Sequence, residues 1–325
     1  METNSSLRPT SEAAEIAQTD QSPKPRLFKL SQVLSDFRAD ADAAHEARTT
    51  GKPRGALSGL GTLDRELSGA FANGLHILHG NAGTGKTALA LQIAATCQCP
   101  ALFVTCEMSP VELLRRHTAR VTGTYLGRLK SGEMSGQAAE AMALQAIEAA
   151  PHLAFVDATR APARPEYLQE CAVIVRGQSK HFLLVIDSLH TWTQSTAADG
   201  AQEYEALNTA IRALQTLAAN LACPLLMISE RNRDSMKSGG LNAGAGTRKI
   251  EYQGETVIDL DRQSDAQENG AGEVEITLRL AKNRHGSIGK PIPLRFNGAL
   301  QKFTESESGA PGEPRARVGT IRNLV

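Results

Sequence analysis

The sequence predicts an α/β domain built on a mostly parallel sheet covered by helices. Three observations carry that prediction: short apolar runs alternate with helical patterns, a glycine-rich loop joins one such run to a helix, and the last apolar segments change to period two. The apolar runs are Leu75–His79, Ala101–Thr105, Leu153–Val156, Phe182–Ile186, Pro224–Ser229 and Thr256–Asp261. Between several of them lie helical stretches such as Thr87–Thr96 and Glu203–Leu221. In the second, Tyr204, Leu207, Ile211, Leu214, Leu217 and Leu221 form one apolar stripe. Runs apolar at nearly every position suit strands buried on both faces, as parallel sheets require. Val274–Leu280 and Ile292–Phe296 alternate with period two and are followed by Asn297-Gly298, a dipeptide that favours a type I′ turn. The domain is therefore expected to end in antiparallel strands and a hairpin.

Around this core the composition changes. Residues 1–26 are rich in Ser, Thr, Glu and Pro without periodicity and are expected to be disordered. Leu27, Leu30, Val33, Leu34 and Phe37 recur at helical spacing, so about 27–46 reads as an amphipathic helix, and Arg48–Gly55 as a linker. The expected compact domain is 55–304, followed by a disordered tail over 305–325. There is no internal repeat.

Aromatic residues are only 4% of the chain, so the core must be aliphatic. Lys and Arg (35) balance Asp and Glu (35), which argues against a basic nucleic-acid coat but leaves room for a local basic loop. The five cysteines, Cys97, Cys99, Cys106, Cys171 and Cys223, lack zinc-ligand spacing and read as reduced structural thiols. With no apolar signal core and no uncharged run of spanning length, the expectation is a cytoplasmic protein with no membrane association.

The most informative segment is Gly80-Asn81-Ala82-Gly83-Thr84-Gly85-Lys86-Thr87, which matches G-x-x-x-x-G-K-[ST] between an apolar run and a helical pattern. Glycines let backbone N–H groups turn inward around phosphate oxygens at the positive end of the helix. In such a loop Lys86 reaches the β- and γ-phosphates of ATP and the Thr87 hydroxyl holds Mg2+. Asp187, at the end of the run Phe182–Ile186, is placed where ligands of open α/β sheets gather, and is expected to bind the same cation, mostly through water.

Further segments carry a family resemblance. Ser58-Gly59-Leu60-Gly61-Thr62-Leu63-Asp64 and Asn73-Gly74-Leu75 look like the segments that lead into the phosphate loop of RecA-like ATPases. Glu107-Met108-Ser109, then Leu126-Gly127-Arg128-Leu129-Lys130-Ser131-Gly132, resemble the C-terminal motor of DnaB-type replicative helicases of superfamily 4. Ile228–Arg233 and Ala281–Gly286 fall where that family has comparable motifs, and the similarity runs in order over about 55–304.

The resemblance implies a RecA-like P-loop NTPase fold, ATP hydrolysis with Mg2+, and helicase or translocase action on single-stranded DNA by a homo-oligomer, a ring hexamer, working with replication proteins. It assigns Glu107 as the carboxylate that activates water and Lys282 and Arg284 as cations inserted into a neighbouring subunit's ATP site. Two loops would face the ring's centre, about Trp192–Gln202 and Lys237–Lys249. In the second, Lys237, Arg248 and Lys249 are candidates to hold DNA phosphates. Glu230 stands where these helicases usually have a glutamine that senses the γ-phosphate, so it belongs to the nucleotide site with an altered charge. The family's collar-forming N-terminal domain is expected to be absent, with the 27–46 helix alone before the motor. A RecA-like ATPase that assembles with ATP but unwinds nothing, a recombination mediator or regulatory switch, is the alternative function.

Overall fold

A computed structural model describes residues 27–197, 200, 202–230, 252–262 and 267–306. The chain divides into two units, Met1–Thr50 and Gly51–Val325. In the first, a 3-10 turn over Leu30–Val33 leads into helix α1, Leu34–Thr50. The helix runs past the expected end near residue 46. Thr49 and Thr50 bond their hydroxyls back to the carbonyls of His45 and Glu46, which keeps the last turn wound. Gly51, at φ 71, marks where it stops.

The second unit is a nine-stranded sheet in the order β3-β2-β4-β5-β1-β6-β7-β8-β9. Strands β1 (Gly74–Gly80), β2 (Ala101–Thr105), β3 (Leu153–Asp157), β4 (Leu183–Asp187), β5 (Pro224–Glu230) and β6 (Thr256–Arg262) run parallel. Strands β7 (Glu273–Asn283), β8 (Ile292–Asn297) and β9 (Lys302–Glu305) continue it antiparallel. Helices α2 (Gly61–Glu66), α3 (Lys86–Thr96), α4 (Pro110–Thr122), α5 (Gly136–Ala149), α6 (Pro165–Arg176), α7 (Leu189–Thr196) and α8 (Glu203–Leu221) complete the unit. The expected parallel sheet with an antiparallel end is what forms.

Its physical basis is the two-sided burial of the central strands. Phe103, Val185 and Leu226 point to one core, where α3 supplies Leu89 and Ile93. Their neighbours in sequence, Leu102, Leu184 and Met227, point to a second core under α6, α7 and α8. Both members of each such i, i+1 pair are thus apolar, and the alternation that marks a one-sided strand disappears. In α8 the predicted stripe is buried from Leu207 to Leu221, while Tyr204 at its start is exposed.

Two local expectations fail. Asn297 is not in a two-residue turn: it pairs with Lys302, and the hairpin closes through a four-residue loop in which Gln301 takes φ 53. The Asn297 side chain ties that loop instead, its Oδ1 accepting from Leu300 N (3.0 Å) and its Nδ2 donating to Ala271 O (3.0 Å). The stretch from Trp192 is not a loop at its start, because α7 continues through Thr196. Trp192 is buried, with Nε1 donating to Ala163 O at 2.8 Å. An indole that can satisfy its N–H inside an apolar core gains more there than in solvent.

Candidate nucleotide site

The parallel strands β1, β4 and β5 all end at one rim, in Gly80, Asp187 and Glu230, and Glu107 follows the end of β2 by two residues. A site at this rim is assembled by sheet register: Thr105 pairs with Asp187, Gly80 with Glu230, and Cys106 N donates to Asp187 O at 2.7 Å.

The phosphate loop turns from β1 into α3. Gly85 is the N-cap of α3 at φ 88, and a Cβ there would lie 2.9 Å from Phe303 Cζ and 3.1 Å from Phe296 Cε1, so only glycine serves. Thr84 braces the turn by donating its hydroxyl to Asn81 O at 2.9 Å. Lys86 Nζ reaches into the same loop and donates to Gly80 O and Asn81 O, each at 2.9 Å. Burial lowers the lysine's pKa, and the nearby carboxylates Glu230, Asp187 and Glu107 oppose that by favouring its charged form. Glu230 Oε1 lies 3.9 Å from Lys86 Nζ.

Two hydroxyls hold Glu107. Ser188 Oγ donates to its Oε1 at 2.6 Å and Thr191 Oγ1 at 2.8 Å, from the segment that leaves β4 and begins α7. Neither was among the candidates read from the sequence. Arg116 on α4 was not either, yet its charge favours the ionised form of Asp187 while its Nη1 donates to Gln301 Oε1 at 2.7 Å.

Asp187 is almost fully buried. Burial pushes its carboxyl up from 3.8 to about 6, a hydrogen bond from the Thr87 side chain opposes the rise, and the Glu107 charge adds to it. A hydroxyl beside a carboxylate is a hard oxygen pair of the kind Mg2+ takes together with phosphate oxygens and water. Among the described residues no group of three or more His, Cys, Asp or Glu side chains could hold a metal unaided. The Thr87 and Asp187 oxygens suit a cation that takes its remaining ligands from the nucleotide and water.

A folded-state pKa above the unfolded one means that the group's stabilising contribution is present below about 3.8 and lost as pH rises through about 6. Asp187→Asn is accordingly expected to stabilise the protein at neutral pH without nucleotide, on the order of 3 kcal/mol. It should also weaken Mg2+-dependent nucleotide binding by about tenfold or more. Thermal melting and a fluorescent ATP analogue read the two effects, and a melting temperature unchanged at neutral pH would contradict the first.

Lys282 and Arg284 are not brought to this rim. Arg284 N donates to Glu255 O and Glu255 N to Leu75 O, which places Arg284 level with the start of β1. The phosphate loop begins at the other end of that strand, about 17 Å away at roughly 3.3 Å per residue, beyond the reach of an arginine side chain. Lys282 Nζ donates to Tyr252 O at 2.7 Å. Lys237, Arg248 and Lys249 lie outside the described residues. No described helix is long and apolar enough to cross a membrane.

A parallel sheet with a phosphate loop after β1, acidic residues at the ends of the neighbouring strands and an antiparallel extension defines the RecA-like class of P-loop proteins. Within that class, residues 55–305 match the model of the DnaB-like helicase C-terminal domain, and the chain belongs to this family. Among curated relatives, the replicative DNA helicase DnaB of Treponema pallidum is 29% identical over 268 residues, covering 77% of this chain and 56% of that protein. A probable replicative DNA helicase of Trieres chinensis is 25% identical, covering 77% and 57%. The chain thus spans about half the length of the curated relatives it matches. Among solved structures, one ATPase domain superposes with TM-score 0.71 at 17% identity, covering 87% of this chain and all of that one. A DnaB-like replicative helicase, studied with its primase interactions, superposes with TM-score 0.68 at 17% identity, covering 86% and 67%. At such identities these superpositions establish the fold.

Proposed function

We propose that the chain is an ATP-driven motor that hydrolyses ATP with Mg2+ in the cytoplasm and acts on single-stranded DNA as a helicase or translocase. The observation that carries this reading is the arrangement of the two half-sites. Lys86, Thr87, Asp187 and Glu107 converge at one end of the sheet, and Arg284 stands at the other, out of reach of its own phosphate loop, which supports a role toward a neighbouring chain. Such a division suits a homo-oligomer, a ring hexamer in this proposal, with ATP bound between subunits.

Each side chain has a task. Backbone N–H groups of Gly83 to Thr87 and the Lys86 ammonium bind the phosphates. Glu107, oriented by Ser188 and Thr191, takes the proton of the attacking water. Mg2+ held by Thr87 and Asp187 would neutralise charge on the phosphate oxygens. Arg284 of the neighbour would stabilise charge on the transferred phosphoryl group, with Lys282 beside it. Lys237, Arg248 and Lys249 are proposed to contact DNA phosphates. Replication proteins, primase among them, are proposed as partners, since a related structure is described with its primase interactions.

A second reading, an ATP-dependent switch that does not unwind DNA, is favoured by Glu230. An acid 3.9 Å from Lys86 competes for the ammonium that the γ-phosphate would otherwise engage. Steady-state ATP hydrolysis with and without single-stranded DNA, on protein sized by light scattering, separates the two. The motor reading expects stimulation of about tenfold or more, as for a cation that completes the site only in the assembled state, followed by unwinding of a forked duplex. A rate indifferent to DNA would support the switch.

A further inference from the structure

The turn that carries Arg284 is braced on several sides. Asn283 Nδ2 donates to Glu66 O (2.9 Å) and Ser287 O (3.1 Å), its Oδ1 accepts from His285 N (3.1 Å), and Ser68 Oγ donates to His285 O (2.9 Å). The guanidinium itself is held by one short segment. Nη1 donates to Glu255 Oε1 at 3.0 Å and Nη2 to Tyr252 O at 3.1 Å, while the other carboxylate oxygen of Glu255 lies 3.0 Å from His285 Nε2. Glu255 in turn is registered on β1 through its N–H to Leu75 O at 2.7 Å. Room for its stem comes from Gly74, at φ 118, where a Cβ would lie 2.8 Å from Glu255 Cγ.

We propose that Glu255 is the positioning residue of Arg284: it fixes the guanidinium at the sheet end opposite the phosphate loop so that the remaining N–H groups face a neighbouring chain's nucleotide. The Arg284 and Glu255 side chains are 50% and 22% exposed, a setting in which an ion pair contributes little to stability and its main effect is orientation. Without the carboxylate, the long side chain samples many rotamers and reaches the productive one rarely. The assignment rests on reading Arg284 as a cation supplied in trans.

The test uses the full chain with single-stranded DNA. Glu255→Ala is expected to lower kcat about tenfold, with KM and the affinity for a fluorescent ATP analogue held within about twofold, the pattern of a misplaced transition-state contact. Glu255→Gln should recover part of the loss, since its amide oxygen still accepts from Nη1. Mixed assemblies locate the effect. Lys86→Ala chains should restore turnover to Arg284→Ala chains, and adding Glu255→Ala to the Lys86→Ala partner should suppress that restoration. Adding it to the Arg284→Ala partner should not. Equal suppression from either side, or a Glu255→Ala kcat equal to wild type while Arg284→Ala is inactive, would overturn the proposal. Full turnover by Arg284→Ala alone would instead remove the trans reading beneath it.

Discussion

Replacing Glu107 with glutamine is expected to leave ATP bound and unhydrolysed, with kcat lower by roughly 10²–10⁴-fold. The substitution preserves shape, and both Ser188 Oγ and Thr191 Oγ1 donate to the same oxygen, Oε1. A glutamine that keeps its carbonyl toward those hydroxyls turns its NH2 toward the water. It then donates where the carboxylate accepted, and no base remains to take the proton. Nucleotide binding is proposed to rest on the phosphate loop, so affinity for ATP should change little. Single-turnover quench of preformed complexes, read with the affinity of a fluorescent analogue, tests both halves. Normal turnover in this variant would move the water-activating role to another residue.

Arg284→Ala is expected to lower kcat by about 10³-fold, the lower range for a cation supplied in trans to a transferring phosphoryl group. Its distance from its own phosphate loop along β1 is the reason to expect so clean a separation. The phosphate loop proposed to bind the nucleotide lies at the opposite rim from Arg284, so analogue affinity in the variant should match wild type. Light scattering should report the same particle size, because the ion pair with Glu255 lies within one chain. Wild-type kcat in an assembled variant would exclude the arginine from the reaction.

The parts of the site that lie close together in sequence were legible before the fold was known. Gly80–Thr87 carries its own geometry, since the left-handed Gly85 and the lysine after it need only the strand before and the helix after. The central strands were readable to within a residue or two because burial on both faces leaves them mostly apolar, with buried polar residues such as His76, His79 and Asp259 as the exceptions. Ser188 and Thr191 were not readable. Their value depends on β4 lying beside β2, which sets them against Glu107 from more than 80 residues away in sequence. Glu255 escaped for the same reason: an acid before an apolar run looks like any solvated strand end until β7 returns Arg284 to its side. Asn297-Gly298 shows the opposite failure, a strong local cue overridden when Asn297 is drawn into pairing with Lys302. A cue for α4 lay in Ser109-Pro110, where Ser109 Oγ accepts from Glu112 N at 3.3 Å and proline takes the first helical position.

The separation of Arg284 from Gly80 along β1 also sets the valence of the chain. If the arginine completes a neighbour's site, every protomer offers one donor and one acceptor, and the proposed ring joins them through heterologous contacts rather than a reciprocal two-fold pair. Contacts of that kind are head-to-tail: they close into a ring when the rotation between copies permits and otherwise continue as an open helix. In a closed ring every copy has a complete site. An open assembly always leaves one phosphate loop without its arginine and one arginine without a substrate. Turnover per chain should therefore rise with protein concentration as chains join and level off on closure, so the shape of that curve reports the topology of the assembly from kinetics alone.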